Sequence, residues 1–119
     1  MEEINLDINE NELNCSQIVF YAICKKHNKS VTSDMLRMLC AINSGFGIGE
    51  ICSAIIGSLC ALSLFFDENH IKKLRLLFLM DFNEKFGTFN CCELSCGKHS
   101  CDDIISFCIQ WAEEKLSQY

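Results

Sequence analysis

The segment Gly45-Phe-Gly-Ile-Gly-Glu-Ile-Cys52-Ser-Ala-Ile-Ile-Gly57-Ser-Leu-Cys-Ala-Leu-Ser-Leu-Phe-Phe66 joins a glycine-rich stretch to a long apolar run. Residues 51–66 carry no charge, so a helix formed there is apolar on every side and must lie in a core or a membrane. The run is shorter than the roughly 20 residues that a membrane helix needs. The sequence therefore predicts a buried central helix over residues 50–66 and no membrane association.

Cys52 falls in the first turn of that predicted helix. Backbone N–H groups are unpaired in a first turn and the helix dipole is positive there, and both favour a thiolate over a thiol. Cys52 is thus the first candidate for a chemical role.

Length and charge limit the fold and the partners. The chain has 119 residues, half of them hydrophobic, which suits one domain over residues 1–119, with residues 1–10 as a flexible tail. The net charge of −6 leaves no basic surface, so neither nucleic acid nor anionic lipid is an expected partner. Because residues 1–14 do not resemble a signal peptide, we expect a cytoplasmic protein.

Ten of the residues are cysteines, and the chain contains no proline. Without an export signal, this density indicates metal or redox chemistry rather than a disulfide scaffold, because cytosolic thiols are kept reduced. The lack of proline suits a helical chain.

Apolar spacing and capping residues predict an all-α, single compact domain of about five helices around the 50–66 helix. Asp67 is a good cap and Gly87 a good stop for the fourth helix, and Ser100 is a candidate cap for the last. The predicted elements are helices over 11–26, 34–42, 50–66 and 67–86, a cysteine-rich loop over 88–100, and a final helix from 101 onward.

Small residues mark two features of the central segment. Ser53, Gly57 and Ala61 recur at every fourth position, a face that would let another helix approach closely and that also favours a homodimer. Phe46 and Ile48 alternate with glycines, and we expect their side chains to anchor the loop over residues 45–49.

The cysteines divide into two groups by position. Four lie at apolar positions inside predicted helices, where a cysteine most often packs as a small hydrophobe: Cys24, Cys40, Cys60 and Cys108. The other six lie at helix starts or in the cysteine-rich loop: Cys15, Cys52, Cys91, Cys92, Cys96 and Cys101. If the three helix starts converge, their N–H groups surround a set of thiolates, and the loop after Gly87 can bring Cys91 to the same place.

These residues also carry a family resemblance. Five stretches, taken in order, resemble the family called C_GCAxxG_C_C, which is described as redox-active: Asn14-Cys15-Ser16-Gln17, Gly45-Phe46-Gly47, Cys52-Ser53-Ala54-x-x-Gly57, Asn90-Cys91-x-Glu93, and Cys101 with Ala112-Glu113. The resemblance extends from residue 14 to about 116. The four family cysteines fall on Cys15, Cys52, Cys91 and Cys101.

The resemblance implies a chemistry. The module is similar to the iron–sulfur part of split-Soret cytochromes, which implies an iron–sulfur cluster held by those four cysteines. It further implies electron transfer or redox sensing with a redox partner protein, rather than conversion of a substrate. The chain departs from the family at Ser53, where the family has glycine, in a shorter glycine loop, and in Cys92 and Cys96, either of which can replace Cys91 as a ligand.

Three other interpretations remain open. The crowded set Cys91, Cys92, Cys96, His99 and Cys101 can hold zinc by itself. Cys52 at a helix start can instead exchange disulfides without any metal. In the least specific interpretation, the chain is a helical interaction domain whose cysteines only fill space. Cys92, Cys96 and His99 are therefore secondary candidates beside the four family cysteines.

Overall fold

The computed structural model describes residues 13–43, 45–96 and 101–118, and within them the chain is helical, with one isolated β-bridge. The helices are α1 (Cys15–Lys26), α2 (Ser33–Arg37), α3 (Ser53–Leu62), α4 (Glu68–Phe86), α5 (Cys91–Cys96) and α6 (Cys101–Gln118). They form one compact globule, so the predicted all-α fold is confirmed. The predicted tail over residues 1–10 and the predicted cap Ser100 lie outside the described residues.

Helix α1 is bounded by local signals at both ends. The Asn14 side chain accepts a hydrogen bond from the Gln17 N–H at 3.0 Å, and the Gln17 side chain accepts one from the Asn14 N–H at 2.9 Å. This reciprocal cap starts the helix at Cys15, later than the predicted residue 11. At the other end Asn28 has a φ of 59°, and the Lys29 N–H donates to the Cys24 carbonyl at 2.8 Å.

Helix α3 lies at the centre of the molecule, where it packs against α1, α4 and α6. It is shorter than the predicted 50–66 because Cys52 is the residue that caps its start, and the chain turns away after Leu62. Ser53, Gly57 and Ala61 are all buried, so the predicted small-residue face exists.

Gly57 explains how closely α1 approaches α3. A Cβ atom at Gly57 would lie 2.8 Å from the Ser16 Cα, so only glycine allows this contact. The small-residue face of α3 is therefore already buried by contacts within the chain. The homodimer remains a prediction, but this face is not the surface that could form it.

Helix α4 has the predicted bounds. Asp67 accepts a hydrogen bond from the His70 N–H at 2.7 Å, and Gly87 ends the helix with a φ of 80°. Its buried face packs against α6 through aromatic rings, among them Phe78 and Trp111, whose centroids lie 4.9 Å apart.

Three predictions about connecting segments are wrong. The predicted loop over 88–100 contains α5, whose start is capped by the Asn90 side chain accepting from the Glu93 N–H at 3.0 Å. The second helix stops at Arg37 rather than at residue 42. Phe46 and Ile48 do not anchor the glycine loop, because they are 50% and 74% exposed.

None of the helices in the described part of the chain is both long enough and apolar enough to cross a membrane.

Candidate functional site

Cys52 and Cys91 are brought together by a single antiparallel β-bridge. The Cys52 N–H donates to the Phe89 carbonyl at 2.8 Å, and the Cys91 N–H donates to the Glu50 carbonyl at 2.5 Å. The segments that lead into α3 and α5 thus run side by side, and each delivers its cysteine just where the helix begins.

Gly45 lets the glycine loop pass directly against Cys91. Its φ is 61°, and a Cβ atom there would lie 2.9 Å from the Cys91 Cβ and also meet the backbone of Glu50. A larger residue would push the loop away from Cys91. Glycine at position 45 therefore allows the close approach of the loop backbone to Cys91.

The start of α1 is held by α2 and by the turn that follows α2. The Asn14 amide donates to the Leu39 carbonyl at 3.1 Å, and the Gln17 amide donates to the Leu36 carbonyl at 2.8 Å. Together with the close contact between α1 and α3, these bonds fix the position of Cys15.

Cys101, at the start of α6, completes the group. The thiols of Cys15 and Cys101 lie within hydrogen-bonding reach of each other, and Cys15 also interacts electrostatically with Cys52 and Cys91. Cys52 interacts with Cys91 and Cys101 in the same way. We call these four residues the cysteine cluster. Cys52 is its buried member, Cys15 and Cys91 are half-buried, and Cys101 is exposed, so the cluster opens to solvent on the α6 side.

The environment of the cluster opposes thiolate formation. Burial, together with the neighbouring thiols, Cys101 foremost, raises the pKa of Cys15 from 9.0 to about 11. Burial also raises the pKa of Cys52, although the N–H groups of Ala54 and Ile55 act in the opposite direction. The prediction that Cys52 is a thiolate is therefore wrong for the metal-free protein. Because Cys91 and Cys101 help to raise the pKa of both Cys15 and Cys52, these two thiols lose their protons together at neutral pH only beside a cation.

The cysteine cluster suits a metal by the chemical type of its side chains, but less well by the distances between them. Four thiolates without a histidine or carboxylate suit zinc or an iron–sulfur cluster. Among the described residues, however, no three His, Cys, Asp or Glu side chains are arranged so that they could hold a metal ion. The four sulfurs interact, but they would have to move for three or more of them to bind one metal ion.

The structure does not give side-chain positions for the secondary candidates. Of Cys92 and Cys96 the structure describes the backbone in α5 but not the side chains, and His99 lies outside the described residues. The zinc interpretation based on them stays a prediction.

The cysteines assigned to the core do not all lie there. Cys24 and Cys108 are buried as predicted, but Cys40 and Cys60 are exposed, so the prediction is wrong for these two. Cys60 lies in α3 and Cys40 in the turn after α2, and the neighbouring elements cover neither of them.

Cys108 lies next to the cysteine cluster, a location that sequence reasoning missed. It is fully buried and close enough to Cys52 and Cys15 to interact with them electrostatically, and burial raises its pKa to about 12. It follows Cys101 by seven residues, two turns along the same face of α6, and that spacing is the signal that could have revealed it. Cys108 thus lies behind the cluster.

Comparison with known proteins finds one family. The family model described as "Putative redox-active protein (C_GCAxxG_C_C)" matches residues 13–115. No curated protein and no solved structure matches the chain.

Proposed function

Because the chain belongs to the C_GCAxxG_C_C family, described as redox-active, we propose that it binds an iron–sulfur cluster through Cys15, Cys52, Cys91 and Cys101. The observation that carries this proposal is the meeting of four thiols from four separate segments. Packing alone does not account for it, since Cys101 is exposed and Cys15 and Cys91 are only half-buried. A bound cluster supplies one-electron chemistry, which suits electron transfer or redox sensing in the cytoplasm.

The chain itself shapes the site in two ways. The N–H groups of Ala54 and Ile55, in the first turn of α3, act to lower the pKa of Cys52, and groups of this kind near a sulfur favour its anionic form and tune a redox centre. Burial of Cys52 keeps water from the inner side, while exposed Cys101 leaves the outer side open to a redox partner. Electrons would therefore enter and leave on the α6 side.

The contact between Cys15 and Cys101 favours a second candidate, a metal-free thiol–disulfide function. Here the two thiols form one disulfide and give up two protons and two electrons to a disulfide-bonded partner, which is reduced to two thiols. This candidate differs from the expected chemistry centred on Cys52, which is buried. The raised pKa of Cys15 argues against it, because the attacking group in exchange is a thiolate.

Elemental analysis separates these functions. We would purify the protein without oxygen, measure iron, zinc and acid-labile sulfide, and record the visible spectrum. Under the proposal, iron and sulfide are present in similar amounts and the spectrum shows thiolate-to-iron charge-transfer bands.

The other outcomes contradict the proposal in distinct ways. Zinc without sulfide indicates a zinc–thiolate site. If no metal is present and mild oxidation links Cys15 to Cys101, as peptide mapping would reveal, the disulfide function is favoured. A metal-free protein without this disulfide leaves the cysteines as packing residues.

A further inference from the structure

The outer face of α4 carries apolar side chains that the fold leaves exposed. Leu76, Leu77 and Met80 are 62%, 46% and 60% exposed, while the opposite face of the helix is buried. A helix at the surface normally has a polar solvent face, so a group of this kind marks an interaction surface.

Charged residues extend this group at both ends. Lys73 precedes Leu77 by four residues, Met80 follows Leu77 by three, and Glu84 follows Met80 by four. This spacing places the four side chains on one face and repeats the a and d positions of a coiled coil. All four are exposed, and within the described residues Lys73 and Glu84 take part in no ion pair. We call them the α4 seam.

The α4 seam is complementary to itself in one orientation. If two copies of α4 run antiparallel about a twofold axis between residues 78 and 79, Lys73 faces Glu84 of the second copy and Leu77 faces Met80. A parallel pair would place Lys73 against Lys73 and Glu84 against Glu84, and both contacts repel. The charges therefore select the antiparallel arrangement.

We propose that two copies of the chain associate through the α4 seam as an antiparallel homodimer. The contact surface is small, with two apolar pairs at the centre and two ion pairs at the rim, so the dimer belongs to the weak, reversible class. The small-residue face of α3 is buried and takes no part. Since α4 contains no cysteine, the dimer does not depend on the proposed cluster.

Analytical ultracentrifugation of the full, reduced chain over a range of concentrations tests the dimer. The wild-type protein should shift from monomer to dimer as its concentration rises. Lys73→Glu and Glu84→Lys each turn both rim pairs into like-charge pairs, and each should raise the dissociation constant about tenfold. Arg75→Glu makes the same charge change away from the seam and should leave the dissociation constant unchanged.

Mixing the two variants gives the sharper result. In the mixed dimer, every position 73 faces a position 84 of opposite charge, so an equal mixture should associate as tightly as the wild type. Neither variant should do so alone. Because all substituted positions are exposed, circular dichroism should show unchanged helix content in each.

Two results would overturn the proposal. One is a protein that stays monomeric at every concentration, as expected if another segment of the chain covers the seam. The other is a dimer whose dissociation constant responds to neither Lys73→Glu nor Glu84→Lys, which would place the interface elsewhere.

Discussion

The two ends of α3 carry one cysteine each, and the two cysteines lie in opposite environments. Cys52, which caps the start, is buried, and its N–H is bound by the Phe89 carbonyl. Cys60, near the end, is exposed and faces a groove of about 410 Å³ lined mainly by apolar side chains, Met35 and Met38 among them. Both belong to the same uncharged run, so the environment of each is determined by the backbone packed around it rather than by the hydrophobicity of the run itself.

The largest difference between the two ends of α3 should appear when Cys52 and Cys60 are each replaced by serine. Cys52→Ser removes a proposed ligand, and we expect the iron and sulfide content of anaerobically purified protein to fall about tenfold or more. Cys60→Ser should leave both unchanged, because Cys60 is not part of the cysteine cluster. Full iron and sulfide in the Cys52→Ser protein would rule out Cys52 as a ligand.

Gly57 lies between the two ends of α3. Its substitution tests how tightly the start of the helix is packed. In an ordinary helix, Gly→Ala stabilises by about 1 kcal/mol. At Gly57 the added Cβ meets the Ser16 backbone, so we expect a loss of about 2 kcal/mol in the free energy of unfolding, measured with urea. Ser63→Ala, at the exposed end of α3, should change it by less than about 0.5 kcal/mol. A stabilised Gly57→Ala protein would show that α1 can move away from α3.

Substitution of Asn14 tests how firmly the start of α1, which packs against α3, is held in place. Asn14→Ala removes both the helix cap and the bond to the Leu39 carbonyl, and should lower the free energy of unfolding by about 2 kcal/mol. Asp67→Ala removes only the cap of α4 and should cost about 1 kcal/mol. Equal losses in chemical denaturation would mean that the bond to Leu39 contributes nothing.

The smallest expected effect concerns Cys108, behind the buried end. Burial raises its pKa from 9.0 to about 12 in the folded state, so its contribution to stability is complete below pH 9 and is lost as the pH rises toward 12. Between neutral pH and about pH 10, the metal-free wild-type protein should lose about 1 kcal/mol more unfolding free energy than Cys108→Ala does. Urea denaturation of the reduced proteins at both pH values measures this, and parallel pH profiles would contradict it.

Features with local signals could be predicted from the sequence. The bounds of α4 follow from Asp67 and Gly87, which act on residues within one turn of themselves. The location of Cys15, Cys52 and Cys101 at helix starts could be predicted as well, because positions relative to caps and apolar faces are local properties. Helix α5 also had such a signal, Asn90 followed by Glu93, but the density of cysteines around it led to the prediction of a loop.

Features that depend on distant backbone could not be predicted. The bridge that joins Cys52 to Cys91 consists of a single pair of residues and leaves no periodic pattern in the sequence. The exposure of Cys40 and Cys60 depends on where other elements end, not on their own apolar neighbours. The raised pKa of Cys52 follows from burial, which outweighs the N–H groups around its sulfur.

The contact between Cys15 and Cys101 joins the first and the last described helices, and this order has a consequence for biosynthesis. Cys15 leaves the ribosome long before Cys101 does. A nascent chain that lacks α6 therefore lacks the complete cysteine cluster, however well its other helices have formed. A cofactor held by all four cysteines can be loaded only after the start of α6 has left the ribosome, so the loaded fraction in the cell would report how many chains have folded as far as α6.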